Sequence, residues 1–469
     1  MKGSEVNFRL GVAQAGLSTQ GYKLHEPYQV DGVRWLLSRE VETNSVQGGF
    51  LCDEMGLGKT IQLITLCLAN PLQNTLLVVP ASLIGQWIHE LSKIAPQLNI
   101  FCHHGTNRIK ESKDVTERTA NPTIWITTYG LMRDDRVIKM TQWDRVILEE
   151  AHTIRNRKSR TSKAAYELNS PIKWIVTGTP IQNSIRDLVT LFGFIGVGSV
   201  YVNSEPDKCR ERFVLRRTKD RVKEYSPKFQ IPARNEHIIR LPFKSPEEEK
   251  FYNNIKNTLQ KELMNSLYKF NTVHIIELIL RLRQASIFPQ LVIDGYSKKW
   301  KKKFPKWEYT NTKLEFIIGQ INEKRDRCIV FTNFKGETDY LYRKLTGHNF
   351  RTEVIQGCVS LKERDGIIRR CQEIVDPEEN GFVDILLIQI NAGGTGLNLQ
   401  KFNVVYFTSP NWNPSLEEQA IGRSHRIGQD REVQVYKTFL EAEEFETIEK
   451  YIFSKQEMKN KVIQDFIKD

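Results

Sequence analysis

At 469 residues the chain exceeds what one hydrophobic core supports, so two or three domains are expected. A hydrophobic content of 40% and an aromatic content of 10% exclude a disordered chain, and no apolar window approaches the length of a membrane span. The formal charge of +12 favours a polyanionic partner, nucleic acid before membrane. The seven cysteines show no C-x-x-C pair and no Cys/His cluster with ligand spacing, so they read as reduced buried thiols and no zinc is expected.

Along the chain, the first apolar run, 49–52, leads into Asp53-Glu54-Met55-Gly56-Leu57-Gly58-Lys59-Thr60 and then the helix-like segment 61–69. A strand, a Gly-rich turn and a helix make a phosphate cradle. Amides at a helix N-terminus surround the phosphates, Lys59 neutralises β/γ oxygens and the Thr60 hydroxyl ligates magnesium. Asp53 stands where the first Gly of the G-x-x-x-x-G-K-[ST] template belongs, so the local match is imperfect.

Continuous β-branched runs at 75–79, 123–126, 145–148 and 174–176 alternate with amphipathic segments, which predicts a parallel sheet covered on both faces. The run 145–148 ends in Glu149-Glu150-Ala151-His152. Glu149 is the expected metal-side carboxylate and Glu150 the water-orienting base. The strand 175–176 runs into the polar turn Thr177-Gly178-Thr179-Pro180-Ile181-Gln182-Asn183, whose hydroxyls could sense a γ-phosphate.

Residues 201–310 are rich in Lys, Arg and Glu with helical spacing, notably at 247–269 and 273–284, and are predicted to be a helical insertion with a basic linker. Within it, 298–307 interleaves lysines with Trp300, Phe304 and Trp307. This stretch could contact phosphates with a Trp stacked on a base, or be a solvated loop or an import-like signal.

A second α/β series begins at 328–331, 385–388 and 404–407. Asn391-Ala392-Gly393-Gly394-Thr395-Gly396-Leu397-Asn398 could form an amide nest for a phosphate. Further on, Arg423 and Arg426 are three apart, and on a helix would share one face as arginine fingers. The expected division is an N-terminal lobe at 1–200, the insertion at 201–310 and a C-terminal lobe at 311–469.

The order of these motifs resembles the SWI/SNF-type ATPases of helicase superfamily two. The resemblance rests on 28–36, Asp53 to Thr60, 79–83, Gln86-Trp87, 127–129, Glu149 to His152, 177–183, Leu215-Arg216-Arg217-Thr218-Lys219, 392–398, 411–414 and Gln419 to Gln429. It is nearest the branch that includes the helicase-like transcription factor, without the RING insertion found in several members. It implies an α/β fold of two RecA-like lobes with parallel sheets and helical insertions, with ATP and Mg²⁺ as cofactors. Gln29 would read adenine, Asp53 to Thr60, Glu149 and Gln419 would complete the nucleotide site, and Lys59, Glu150, Arg423 and Arg426 would be catalytic.

DNA contacts are implied for Thr128, Thr332, Gly394, Thr395, Asn398 and Trp412. The family carries Asp where this chain has Glu149, one methylene longer. The expected function is an ATP-dependent translocase on double-stranded DNA without sequence specificity or a dedicated strand-separating activity. A strand-separating helicase, or a DNA-binding scaffold with impaired hydrolysis, is the alternative. Nucleosomes or transcription machinery are the expected larger partners. The expected location is the nucleus or another DNA-containing intracellular compartment, a viral factory or virion included.

Overall fold

The computed structural model describes residues 2–42, 45–109, 115, 121–178, 185–226, 229–265, 272–374, 376–393 and 397–467. The chain divides into two units, 1–230 and 231–469.

The first unit is built on seven parallel strands: β1 (Gln47–Leu51), β2 (Asn74–Val79), β3 (Asn99–Cys102), β4 (Thr123–Thr128), β5 (Arg145–Glu149), β6 (Ile172–Val176) and β7 (Val214–Leu215). Their order is β3-β4-β2-β5-β6-β1-β7. β2 and β4 are buried at every position, because helices cover both faces and leave no polar side. On one face Leu36, Leu63 and Leu91, from the helices Tyr28–Val41, Lys59–Ala69 and Ile84–Ile94, meet Leu77, Ile126 and Ile147 of the strands.

The second unit has six parallel strands: β8 (Arg234–Pro242), β9 (Cys328–Thr332), β10 (Thr352–Ile355), β11 (Ile385–Gln389), β12 (Val404–Phe407) and β13 (Val433–Glu441), in the order β10-β11-β9-β12-β13-β8. The two-residue period of a strand sorts its side chains between two cores. Ile329, Leu386 and Val405 enter one cluster, whereas their neighbours Cys328, Ile385 and Val404 enter the other. A further cluster joins Tyr252 and Leu282, from the helices Pro246–Asn265 and Thr272–Ile287, to Ile448 and Ile452 of the helix Ile448–Ile467. That last helix is also tied down by a fully buried ion pair between Lys313 and Glu449.

Residues 201–310, read from sequence as one insertion, are shared between the units. β7 at Val214–Leu215 pairs with β1, whereas β8 pairs with β13, and the helices from Pro246 to Trp300 belong to the second unit. Both strands lie at sheet edges, and neither carries the long apolar run that marks an interior strand.

At the N-terminal end of β5, Arg145 is fully buried. It donates to Glu40 Oε1 at 2.6 Å, Asn70 O at 2.9 Å and Thr75 Oγ1 at 3.1 Å. Glu40 also accepts from Trp174 Nε1 at 2.8 Å and Asn70 Nδ2 at 2.7 Å. Two helices and three strands are thus pinned by one charge pair. Truncation strands the partner charge in the core, so Arg145→Ala should lower first-unit stability by about 3–5 kcal/mol. Urea unfolding followed by tryptophan fluorescence checks this, and an unchanged midpoint would refute it.

Candidate functional site

The phosphate cradle forms where β1 ends and the helix Lys59–Ala69 begins. Gly58, at φ +78°, makes the left-handed turn into that helix, a conformation L side chains rarely adopt. The helix's first-turn amides have no intrahelical acceptor and face the turn as anion donors. Lys59 Nζ donates to Asp53 O at 2.8 Å, which places its ammonium over the loop.

Three neighbouring strands deliver the remaining groups at their C-terminal ends. In register, Leu51 pairs with Val176, and Val176 with Glu149, so the residues following β1, β6 and β5 emerge side by side. Across two strand spacings β1 and β5 lie about 10 Å apart. A Cβ on Gly178 would sit 3.0 Å from Met55 Cγ and 3.7 Å from Lys59 Nζ, so the turn after β6 lies against the cradle. Residues 179–183 of that turn lie outside the described residues.

Glu150 is largely buried in the left-handed region, at φ +52°, an uncommon conformation for a non-glycine residue. Its Oε2 lies 3.3 Å from His152 Nδ1. The Tyr129 hydroxyl donates to Glu149 O at 2.7 Å, fixing the strand end. Burial, then the neighbouring Glu149 and Glu150 charges, raise the Tyr129 pKa well above the ordinary phenol value, so it stays a donor.

Asp53 is held by a residue far along the chain. Arg217 forks onto its carboxylate, with Nε donating to Oδ1 at 3.0 Å and Nη2 donating to Oδ2, and Nη2 also donates to Gln62 Oε1 at 2.8 Å. Gln62 Nε2 donates in turn to Asp53 Oδ2 at 3.1 Å. The backbone runs alongside: Cys52 N donates to Leu215 O at 2.7 Å and Glu54 N to Arg217 O at 2.9 Å. Glu54 accepts from Lys219 N at 2.8 Å. Burial opposes the Arg217 charge, yet the adjacent Asp53 carboxylate brings its pKa above the ordinary value. Helix Tyr28–Val41 closes over the network at Gly32, where a Cβ would lie 2.0 Å from Gln62 Oε1. Sequence reasoning missed Arg217, Gln62 and Lys219 as supports of the cradle. The only signal was the Leu215 to Lys219 motif, which carries no role by itself.

Gln29 is buried against the cradle. Its Nε2 donates to Leu57 O at 3.0 Å and to the Tyr28 hydroxyl at 3.2 Å, while Oε1 accepts from His25 N at 2.8 Å. Both Nε2 protons are taken, so donating to a base edge would require exchanging one of these bonds, whereas Oε1 keeps a second lone pair.

In the second unit the helix Pro414–Ile421 carries Gln419, which is buried, but Arg423 and Arg426 lie beyond its end. Their expected shared helical face is corrected to a turn. Arg423 N donates to Ala420 O at 3.2 Å and Ser424 N to Ile421 O at 3.0 Å, tightening the last turn, and Gly428 at φ +89° redirects the chain. The turn is laced in place. Gln429 Nε2 donates to Gln400 O at 2.9 Å and Ser424 O at 3.1 Å, Leu399 N to Arg423 O at 3.0 Å, and His425 Nε2 lies 2.9 Å from Pro232 O.

The candidate DNA residues are dispersed. Thr128 is the N-cap of the helix Tyr129–Asp134, accepting from Leu131 N at 3.3 Å. Thr332 is fully buried, its hydroxyl 2.7 Å from that of Thr338, so the accessible groups at that strand end are Asn333 and Lys335. Gly394 and Thr395 lie outside the described residues. Asn398 accepts from Gln372 Nε2 through its carbonyl oxygen at 3.1 Å. Trp412 packs edge-on against Tyr451 with centroids 6.2 Å apart, and its backbone oxygen accepts from Lys459 Nζ at 3.0 Å.

Residues 28–205 match the SNF2-related domain family, and residues 312–428 match the helicase conserved C-terminal domain family. The chain is 30% identical over 93% of its length to an uncharacterised ATP-dependent helicase of Mycoplasma genitalium, of which it covers 42%. It is 28% identical over 92% of its length to the mouse SWI/SNF-related matrix-associated actin-dependent regulator of chromatin subfamily A member 1, again covering 42%. The chain thus spans less than half the length of these relatives. A solved Sulfolobus solfataricus SWI2/SNF2 ATPase core in complex with double-stranded DNA aligns over 95% of this chain and 93% of its own, with 26% identity and a TM-score of 0.41.

The Arg217 fork fixes where the cradle begins, so its loss should loosen nucleotide binding. Arg217→Ala is expected to raise the Kd for a fluorescent ATP analogue about tenfold, equivalent to about 1.4 kcal/mol. Arg217→Lys should recover only part of this, since an ammonium cannot make the bidentate contact. An unchanged Kd in a folded Arg217→Ala protein would remove the fork from the site.

Proposed function

Because the chain belongs to the SWI/SNF-type ATPases, we propose that it hydrolyses ATP to move along double-stranded DNA without a dedicated strand-separating activity. The observation that carries this reading is the level register of Leu51, Val176 and Glu149, which brings the segments carrying Lys59, Glu149 and Glu150 out together at the C-terminal ends of adjacent strands.

The residues there fit a magnesium nucleotide. The helix N-terminus and Lys59 would receive phosphate oxygens, while Thr60 and Glu149 would supply protein oxygens to magnesium beside phosphates and water. Magnesium bound there would neutralise charge on the β- and γ-phosphates. Glu150, beside His152, orients the attacking water and accepts its proton. Arg423 and Arg426 serve as arginine fingers, a contribution of about 10³ to 10⁵ in rate in related chemistry. Gln29 and Gln419 are assigned to the nucleotide, and Thr128, Asn398 and Trp412 to the DNA.

Affinity for DNA then comes from phosphate contacts, so binding is insensitive to sequence and steeply dependent on salt. Nucleosomes or transcription complexes would be met as obstacles or substrates on that DNA, in the nucleus or another DNA-containing compartment.

ATP turnover should rise on adding duplex DNA, and Lys59→Ala and Glu150→Gln should each reduce it by about 10³-fold or more. Equal turnover with and without DNA, or full turnover in either variant, refutes the assignment. Displacement of a triplex-forming strand without unwinding of a forked duplex is the expected signature of translocation; unwinding of the fork would show a helicase instead.

A further inference from the structure

We propose that the lysine-rich end of the helix Pro289–Trp300, with the loop that follows, is a binding surface for the phosphate backbone of duplex DNA, apart from the residues assigned to the motor. Six lysines fall within 298–306, which is half the size of the whole chain's formal charge of +12. All six are exposed. Lys299 is committed to Glu277, at 2.7 Å. Lys302 lies 5.8 Å from the Phe304 ring centroid. Among the described residues Lys298, Lys301, Lys303 and Lys306 make no ion pair.

Nearby acids are few. Asp294 accepts from Gln290 Nε2 at 2.8 Å, Glu277 is shared by Lys299 and Arg281, and Glu308 is exposed at the loop's far end. A helix C-terminus attracts cations only within its last turn. That accounts for Lys298 and Lys299, but not for Lys302, Lys303 and Lys306 beyond it.

The loop is held in shape. Lys301 turns the chain at φ +52°, and Lys302 N donates to Ser297 O at 3.2 Å. Trp307 N donates to Gln290 Oε1 at 2.6 Å, Trp307 Nε1 to Thr310 O at 3.1 Å, and the Trp307 ring meets Phe251 edge-on at 5.2 Å. Trp300 stacks on Tyr296 with centroids 4.8 Å apart and planes at 4°, and meets Phe304 at 5.8 Å. One face of Trp300 is therefore taken, and these ring contacts stiffen the segment that carries the lysines. A preordered array loses little entropy on binding.

Duplex DNA supplies the matching chemistry, a charge about every 1.7 Å of helix axis. Lysines act as point charges toward phosphates, whereas the neighbouring arginine suited to carboxylate forks, Arg281, already holds Glu277 and lies over Tyr296. This favours DNA over an acidic polypeptide.

The test is equilibrium binding of a labelled duplex to the full chain without nucleotide, over about 50 to 200 mM salt. K301Q/K302Q/K303Q should weaken binding at the lowest salt by about tenfold and flatten the salt slope by about 0.9 for each phosphate no longer neutralised. The triple Arg variant should keep the slope, and ATP turnover at saturating DNA should stay within about twofold, which separates this surface from the motor. Unchanged affinity and slope in a folded Gln variant overturn the proposal. So does a variant that keeps its DNA affinity but no longer binds poly-glutamate, which would assign the surface to an acidic protein partner.

Discussion

The first unit depends on the fork between Arg217 and Asp53. Where the usual phosphate cradle opens with Gly, this one opens with a carboxylate, and a buried carboxylate needs a cation. Arg217 supplies it from 164 residues further on. The need explains β7, which is too short to hold itself and lies in the sheet because its carbonyls and those following it receive Cys52 N and Glu54 N. A buried ion pair stabilises little beyond what apolar packing would, but breaking one is costly. Its value here is geometric, since it allows one position for the start of the loop.

Arg145 and Glu40 do the same at the opposite end of the strands. Arg145 opens β5 and Glu149 closes it, so the strand that presents the carboxylates is anchored at its start by an ion pair and at its end by the Tyr129 hydroxyl. Charges buried at both ends leave the apolar middle free to pack, which is why the interior strands read so clearly as β-branched runs. Precision at such a site matters, because displacements near 1 Å at a reacting centre can cost about 10²-fold in rate.

The same logic divides what sequence could and could not show. Interior strands β2, β4, β5, β6, β9, β11 and β12 sit beneath helices on both faces, and their continuous apolar runs marked each one. The edge strands β3, β7, β8 and β10 were invisible. β8, for example, alternates half-buried and exposed residues and carries Arg234, Glu236 and Arg240. β13, beside that edge, mixes Gln434, Tyr436 and Lys437 into its run and was equally obscure. The cradle and the Glu149-Glu150 pair were legible because their chemistry is local in sequence. Arg217 was not, because its partner lies across the fold, and the Arg423–Arg426 turn was mistaken for helix because periodicity does not reveal where Gly422 and Gly428 end one.

Glu149 stands where the resemblance implies Asp, and local geometry constrains how that longer side chain is accommodated. Its Cα is fixed by pairing with Val176 and by the bond from Tyr129 to its carbonyl oxygen. The extra methylene therefore cannot be absorbed by shifting the strand, and the carboxylate must reach about 1.5 Å further from the same origin or fold back by rotamer. Charge is kept, so under the proposed assignment the substitution would bear on the placement of metal and water more than on nucleotide affinity. Glu150, in its left-handed turn directly after, gains from that rigidity: a residue held in an uncommon conformation persists only where its surroundings overdetermine it. Of the two buried charge pairs, Arg145–Glu40 holds the strand that presents these carboxylates and Arg217–Asp53 holds the loop beside it.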